Sequence, residues 1–360
     1  MNPTLKNRIF CSGRIVLIAL STLGTSSAFA QSSVTLYGVV DDGFEYLTNA
    51  AKSDSHNQNL PHLQMGMLTP NRFGFRGQED LGGGLKAIMT LEGGMDPNSG
   101  VSLGNRLFGR QALVGIKGNF GAITLGRQKG LLYDFAPDVE PMSYSSYSLY
   151  EMDGIFTGKI DNAIKYRANI GNFAFAALFS TGYDSTIANG SQVPGAFRVG
   201  KEYSIAGEYA NGPFTGVLGA DQRQGTSITT QGDTERRLFA AAAYQFHNVK
   251  TYLGYEWFNS TIPATARHFN LYYGGLQYQA SPYLFLSSAF YYMDMTSADQ
   301  HPYIAATKVD YLLSKSTHVY MQVGFAKNSN GSQQGLNGYG TNIVSGANQF
   351  GAGVGVAHYF

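Results

Sequence analysis

Arg72-Phe73-Gly74-Phe75-Arg76-Gly77 alternates strictly. Phe73 and Phe75 share one face of an extended chain, and Arg72, Gly74 and Arg76 share the other. A period of two with one apolar face marks a β-strand. The same pattern runs through Leu85-Lys86-Ala87-Ile88-Met89-Thr90-Leu91-Glu92 and through Val34-Thr35-Leu36-Tyr37-Gly38-Val39. What is unusual is the polar face, which carries Arg72, Arg76, Lys86 and Glu92. A soluble sandwich buries one face in its core and exposes the other. Charges facing a closed interior would need partners there. An inverted barrel, with lipid outside and water inside, accommodates them.

Two kinds of connection punctuate the alternating runs. Turn-forming residues cluster at Asp80 to Gly84, Asn119-Phe120-Gly121, Ile170-Gly171-Asn172, Asn211-Gly212-Pro213, His247-Asn248, Ser281-Pro282 and Ser314-Lys315-Ser316. These suit tight hairpins. Longer polar stretches fall near 50–66, 97–105, 131–159, 183–200, 223–234, 259–267, 296–302 and 328–347. Seven short turns alternating with eight longer loops join sixteen strands. The spacing leaves roughly 20 residues per strand and connection, enough for strands of about 9–11 residues in a bilayer. The expected fold is all-β, a transmembrane antiparallel 16-stranded β-barrel. Short turns lie on one side of the membrane and long loops on the other. Aromatics near strand ends, among them Phe44, Tyr46, Tyr244, Phe246, Tyr272, Tyr273, Tyr291 and Tyr292, suit the girdles at the two interfaces.

The first thirty residues read as a removable leader. Lys6, Arg8 and Arg14 precede the apolar Ile15–Leu20 run, and Ala28-Phe29-Ala30 is a small-x-small cleavage site. The domain reading is therefore a signal peptide over 1–30 and one barrel over 31–360. Cleavage removes three of the 25 basic residues and none of the 24 acidic ones, leaving a net charge of −2. It also removes Cys11, the only cysteine, so the mature chain forms neither a disulfide nor a thiolate metal site. Only 14% of the chain is charged and 13% is aromatic. That composition excludes disorder and a basic nucleic-acid footprint. No apolar run of eighteen residues follows the leader, so no spanning helix is expected.

Enzyme signatures are missing. The seven histidines are scattered, and there is no H-E-x-x-H, no G-x-S-x-G and no Walker A loop. Gly82-Gly83-Gly84 lies in a tight turn rather than at a helix start. Asp41-Asp42 reads as a lumen and turn charge, not an acid–base couple. No catalytic, cofactor or metal residues are expected.

Several stretches carry a family likeness. They are Ser33–Val39, Asn71–Gly82, Arg106–Gly115, Ile123–Gln128, Asp310–Tyr320 and the terminal Gln349–Phe360, which alternates and stops on Phe360. Together they resemble the trimeric general porins of Gram-negative bacteria, and most closely those of β-proteobacteria. The resemblance covers the whole mature chain and is weakest over 183–300. It implies an outer-membrane location among lipid and lipopolysaccharide, and a homotrimer whose interface lies on the early strands, near Ala87, Ala112 and Val114. It implies recognition of Phe360 by the barrel assembly machinery. It also implies a water-filled channel for passive diffusion of ions and small hydrophilic solutes. Solute-specific channels and barrel enzymes or adhesins are the alternatives.

In that family the third loop folds inward and narrows the pore. The stretch Gly130 to Lys159 is the candidate, and a loop so long inside a compact domain is normally functional. It carries Asp134, Asp138, Glu140, Glu151 and Asp153. The family's basic cluster carries over onto Arg72, Arg127 and Lys159, and less directly onto Arg110. Alternation puts Arg72 on the polar face. Arg127 shares parity with Ile123 and Leu125, so it reaches the lumen only if Gly126 interrupts the pleat. Arg110 shares parity with Ala112 and Val114 and needs a similar break. The family's basic residue on the first strand is replaced near Val39. The expected constriction is Arg72, Arg110, Arg127 and Lys159 against Asp134, Asp138 and Glu140. Opposite fixed charges across a narrow gap filter solutes by charge and size.

Overall fold

The computed structural model describes residues 32–51, 57–186, 192–265, 267–337 and 342–360. The leader expected over 1–30 lies outside the described residues. The strand segments are β1 (Ser33–Ala51), β2 (Asn57–Met65), β3 (Arg72–Gly82), β4 (Leu85–Gly94), β5 (Gln111–Gly118), β6 (Gly121–Lys129), β7 (Lys159–Ile170), β8 (Phe173–Ser180) and β9 (Glu202–Asn211). They continue as β10 (Phe214–Gln224), β11 (Thr234–Phe246), β12 (Val249–Ser260), β13 (Arg267–Ser281), β14 (Leu284–Asp294), β15 (Tyr303–Leu312), β16 (Thr317–Lys327), β17 (Asn342–Ile343) and β18 (Gln349–Tyr359). All pair antiparallel in one sheet, which closes where β1 meets β18, from Val39 with Tyr359 to Leu47 with Gly351. Gly38 and Phe360 exchange both backbone hydrogen bonds at the seam. No edge is left open, as a membrane requires.

β2 and β3 are two halves of one stave, and β17 is a two-residue piece of the last loop, so the barrel has sixteen staves. The seven tight turns fall where turn residues cluster. The first long connection does not. β1 runs on to Ala51 and β2 begins at Asn57, so most of 50–66 is strand rather than loop. This extension carries a polar mixture, because alternation is enforced only where a strand faces lipid. The real break lies at residues 66–71. There Asp41 accepts the amides of Leu68 and Thr69 at 2.7 Å each, and Asn71 Oδ1 accepts the Asp41 amide at 2.5 Å.

Alternation sorts the side chains by face. Val34, Leu36, Phe44, Leu63, Val114, Ile123, Leu125, Leu218, Leu253, Val354 and Val356 are apolar and exposed on the outside of the sheet. Wide apolar concavities, one of about 740 Å³ lined by Phe175, Leu218 and Leu253 among others, lie on this outer face over glycine and alanine. The inner face carries Asp41, Glu45, Glu92, Lys165, Glu202, Asp221, Arg237, Glu256 and Lys308, all buried. Among the described residues no helix is long and apolar enough to cross a membrane.

Candidate functional site: the loop and the basic wall

The 130–158 segment is built from short helical pieces, α1 (Leu131–Phe135) and α2 (Leu149–Met152) with single 3₁₀ turns between and after. Ser148 caps α2 by accepting the Tyr150 amide, and Asp153 accepts the Ile155 amide at 3.0 Å. Its apolar side chains, among them Leu131, Phe135, Val139, Met142, Leu149 and Phe156, pack against inward-facing residues of many staves.

Polar contacts fasten it all round. Tyr147 donates to Glu45 of β1 at 2.6 Å. The Ser146 amide donates to Met67 O, in the break of the second stave, at 2.8 Å. Lys165 of β7 holds Asp134 at 2.7 Å. Arg237 of β11 grips Asp153 at 2.7 and 3.1 Å. Tyr273 of β13 donates to Val139 O at 3.0 Å, Tyr291 of β14 donates to Glu140, and Lys308 of β15 donates to Met142 O at 2.8 Å.

The expected bases converge on one side of this loop. Arg110 turns inward just before β5 begins. Its Nε meets Glu92 Oε1 at 2.7 Å and its Nη2 donates to Tyr133 of α1 at 3.0 Å. At Arg127 the pleat does break. Gly126 pairs with Ala163 but Gln128 pairs with Ile160, so Asp161 and Asn162 together oppose one residue. Gly126 adopts φ +119, and a Cβ there would sit 2.2 Å from Ala112 O. Arg127 then reaches Gly109 O at 2.6 Å and Asp161 Oδ1 at 2.5 Å. Arg106 also binds Asp161, at 3.0 Å. Arg110, Arg127 and Lys159 line one cavity of about 220 Å³, with Gly66, Pro70 and Asn71 among the other walls. Gly126→Ala should cost roughly 1–3 kcal/mol through strain and the backbone clash. A lower heat-denaturation temperature in detergent checks this, and an unchanged one counts against the bulge.

Arg72 faces the lumen by parity and donates to Pro70 O at 2.8 Å and Thr69 Oγ1 at 3.2 Å. Val39 is apolar here and packs with Met67, Leu68 and Tyr320. The acids do not gather opposite the bases. Asp134 is taken by Lys165. Asp138 is exposed, and its backbone carbonyl accepts from Lys250 at 3.0 Å. Glu140 is buried under Tyr291. Asp153 belongs to Arg237, and Glu151 lines the cleft.

Sequence reasoning missed Lys129 and the tyrosines. The Lys129 ammonium sits 4.8 Å from the Tyr133 ring centre and 5.6 Å from that of Tyr144. Lys159 sits 5.2 Å from Tyr133. Tyr144 stacks on Tyr150 at 5.7 Å, and Tyr133 meets both edge-on. A signal existed: Tyr144, Tyr147 and Tyr150 recur every third residue in a serine-rich stretch. Among the described residues no group of acids, histidines or cysteines is arranged to hold a metal.

Burial pushes the Glu140 carboxyl up to about 7, against the pull of the Tyr291 hydroxyl and of Lys308. The folded chain thus binds this proton more tightly than the unfolded chain. The contribution is most favourable below the ordinary carboxylate range and is lost as pH rises to about 7. Glu140→Gln should flatten that slope, and melting temperature followed from about pH 4 to about pH 8 reads it directly. A slope unchanged in the variant would assign it elsewhere.

A closed antiparallel barrel with an apolar outer face and a charged inner one is an outer-membrane channel protein. The chain belongs to the Gram-negative porin family, whose model matches residues 16–331. It is 30% identical over 368 residues to outer membrane porin protein 32 of Delftia acidovorans, covering 96% of this chain and 99% of that one. It is 27% identical to an outer membrane porin protein of Bordetella pertussis, covering 84% and 91%. Among solved structures, an anion-selective porin from Comamonas acidovorans superposes with TM-score 0.77 at 26% identity, covering 92% of this chain and all of the other. The chain is thus an outer-membrane porin, a passive diffusion channel for ions and small hydrophilic solutes. Its relatives are channels rather than enzymes.

Proposed function

We propose that the cleft between the 130–158 loop and the wall bearing Arg72, Arg110, Arg127, Lys129 and Lys159 is the constriction of this channel, and that it favours anions. One observation carries the reading. Arg110 and Arg127 are neutralised by Glu92 and Asp161. Lys129 and Lys159 have no carboxylate within ion-pair distance among the described residues and lie against aromatic rings instead. Their charge is left for a passing ion to balance. The relative from Comamonas is named as anion-selective. Asp134 is held by Lys165 and Glu140 lies buried under Tyr291, so these two do little to offset the bases. Purified protein in planar bilayers tests this. Stepwise conductance with chloride more permeant than potassium is expected. Cation preference would overturn the proposed selectivity.

The working form is a homotrimer, in this reading, and Asp42 marks the interface. It lies mid-strand on β1 at the parity of the outward-facing Val40 and Phe44, paired with Met65 and Val356. A carboxylate facing hydrocarbon is costly, and a second copy of the chain would cover it. One solved porin related in fold is described as a trimer form. Asp42→Leu should lower the temperature at which the oligomer dissociates in mild detergent while the barrel stays folded. Unchanged dissociation would remove Asp42 from the interface. Phe360, exposed at the seam, is proposed as the feature read by the barrel assembly machinery.

A further inference from the structure

We propose that Asp161 is a positioning residue for the channel's size limit: its one carboxylate holds the loop over residues 95–110 against the wall of the constriction. The inference rests on reading the cavity of Arg110, Arg127 and Lys159 as that constriction. Asp161 and Asn162 together oppose one residue at the bulge between β6 and β7, and the Asp161 side chain is almost wholly buried. Arg127 Nη1 meets its Oδ1 at 2.5 Å, and Arg106 Nη1 meets both oxygens at 3.0 Å. The Ser185 amide and hydroxyl donate to Oδ2 at 2.7 and 2.5 Å, and Arg106 Nη2 donates to Ser185 Oγ at 3.0 Å. The Asp161 amide donates to Tyr183 O at 3.1 Å, so its backbone fastens the same outer segment.

Residues 95–110 supply the outer wall of the constriction. Leu103, Gly104 and Gly109 line the cavity together with the three bases. The loop closes on itself at its tip, where the Gly100 amide donates to Asp96 O at 2.8 Å and Ser99 Oγ donates to the Asp96 carboxylate at 2.5 Å. Two hydrogen-bonded attachments lead from it to the wall behind. Arg106 reaches Asp161 directly, and Arg127, gripped by Asp161, donates to Gly109 O at 2.6 Å. Both run through one carboxylate. Hydrogen bonds between charged groups are the strong ones, and removing one partner strands the other. Without the Asp161 charge the two guanidiniums repel each other. The loop carrying Arg106 then moves off the wall carrying Arg127, and the cavity opens on its outer side.

Neutral sugars test this, because their passage depends on size and not on the charge that each variant changes. Swelling of liposomes that carry the protein is compared in the trisaccharide raffinose and the monosaccharide arabinose. Asp161→Asn should raise the raffinose-to-arabinose ratio. Arg106→Gln should raise it too, although the two changes move the charge in opposite directions. Arg106→Lys, which keeps a cation for Asp161, should stay closer to wild type than Arg106→Gln. An unchanged ratio in Asp161→Asn channels that still swell in arabinose overturns the inference. A rise that Arg106→Gln does not share overturns it as well, by reducing the effect to charge. Chloride preference of the wild type, read separately, decides the constriction reading. Absence of arabinose swelling with wild-type protein overturns the channel reading and the role of Asp161 with it.

Discussion

Replacing Lys129 and Lys159 together with glutamate is expected to reverse the channel's selectivity from anions to cations. Among the described residues the two ammoniums, like the Arg72 guanidinium, have no carboxylate within ion-pair distance, so the change acts on charge that ions feel. At about 5 Å and an effective dielectric constant near 20, one unit charge is worth about 3 kcal/mol to a passing ion, before salt screening. The Debye length is about 10 Å at 0.1 M and about 3 Å at 1 M, so the reversal should be complete in dilute salt and muted in concentrated salt. Reversal potentials across a potassium chloride gradient measure it. Arg127→Ala should move them less, because Asp161, also held by Arg106, already offsets that guanidinium. A double variant that keeps the wild-type potential would place the constriction elsewhere.

Arg237→Leu is expected to cause the largest loss of stability of any single change in the lumen. Arg237 is almost wholly buried and meets Asp153 of the loop, Glu235 at 2.5 Å and Glu256 at 3.4 Å. Glu202 and Asp221 are buried on neighbouring staves, with Arg223 between them. Taking one guanidinium from this set leaves carboxylates buried without a counter-charge, which costs about 3–5 kcal/mol. The second half of the loop loses its hold on β11, so open-channel current should become noisy as the melting temperature falls. Asp153→Asn in the same background should recover part of the loss by removing one of the stranded charges. Circular dichroism melts together with single-channel records decide this. A quiet, equally stable Arg237→Leu channel would mean that apolar packing alone fixes the loop.

The all-β architecture, the number of staves and the lipid-facing surface could be read from the chain. Period two is a local property of each strand, and Phe73, Phe75, Ile123 and Leu125 announce their face without reference to any neighbour. The tight turns announce themselves through their glycine, asparagine and proline. Asn57 to Met65 was illegible because its first three residues are polar and only Pro61, Leu63 and Met65 give an apolar outer face, too short a run to announce a strand. The inward course of 66–71 was equally hidden, since it depends on Asp41 capping amides about thirty residues away.

At the site, the bases were legible by type and the acids only by number. Which charges remain open depends on pairing between distant residues, and no spacing rule reports that Glu92 takes Arg110 or that Lys165 takes Asp134. Lys129 was overlooked because its importance comes from the rings of Tyr133 and Tyr144 rather than from its place on β6.

The sequence by itself determined that this chain is an inverted barrel with charge inside, because alternating apolar and polar residues have one low-energy arrangement between lipid and water. Tertiary structure alone decided which of those charges face the solute. A bulge at Gly126 turns Arg127 inward, a loop fastened to staves all round the barrel ties up its Asp134, Glu140 and Asp153, and two lysines lie against aromatic rings with no carboxylate partner among the described residues.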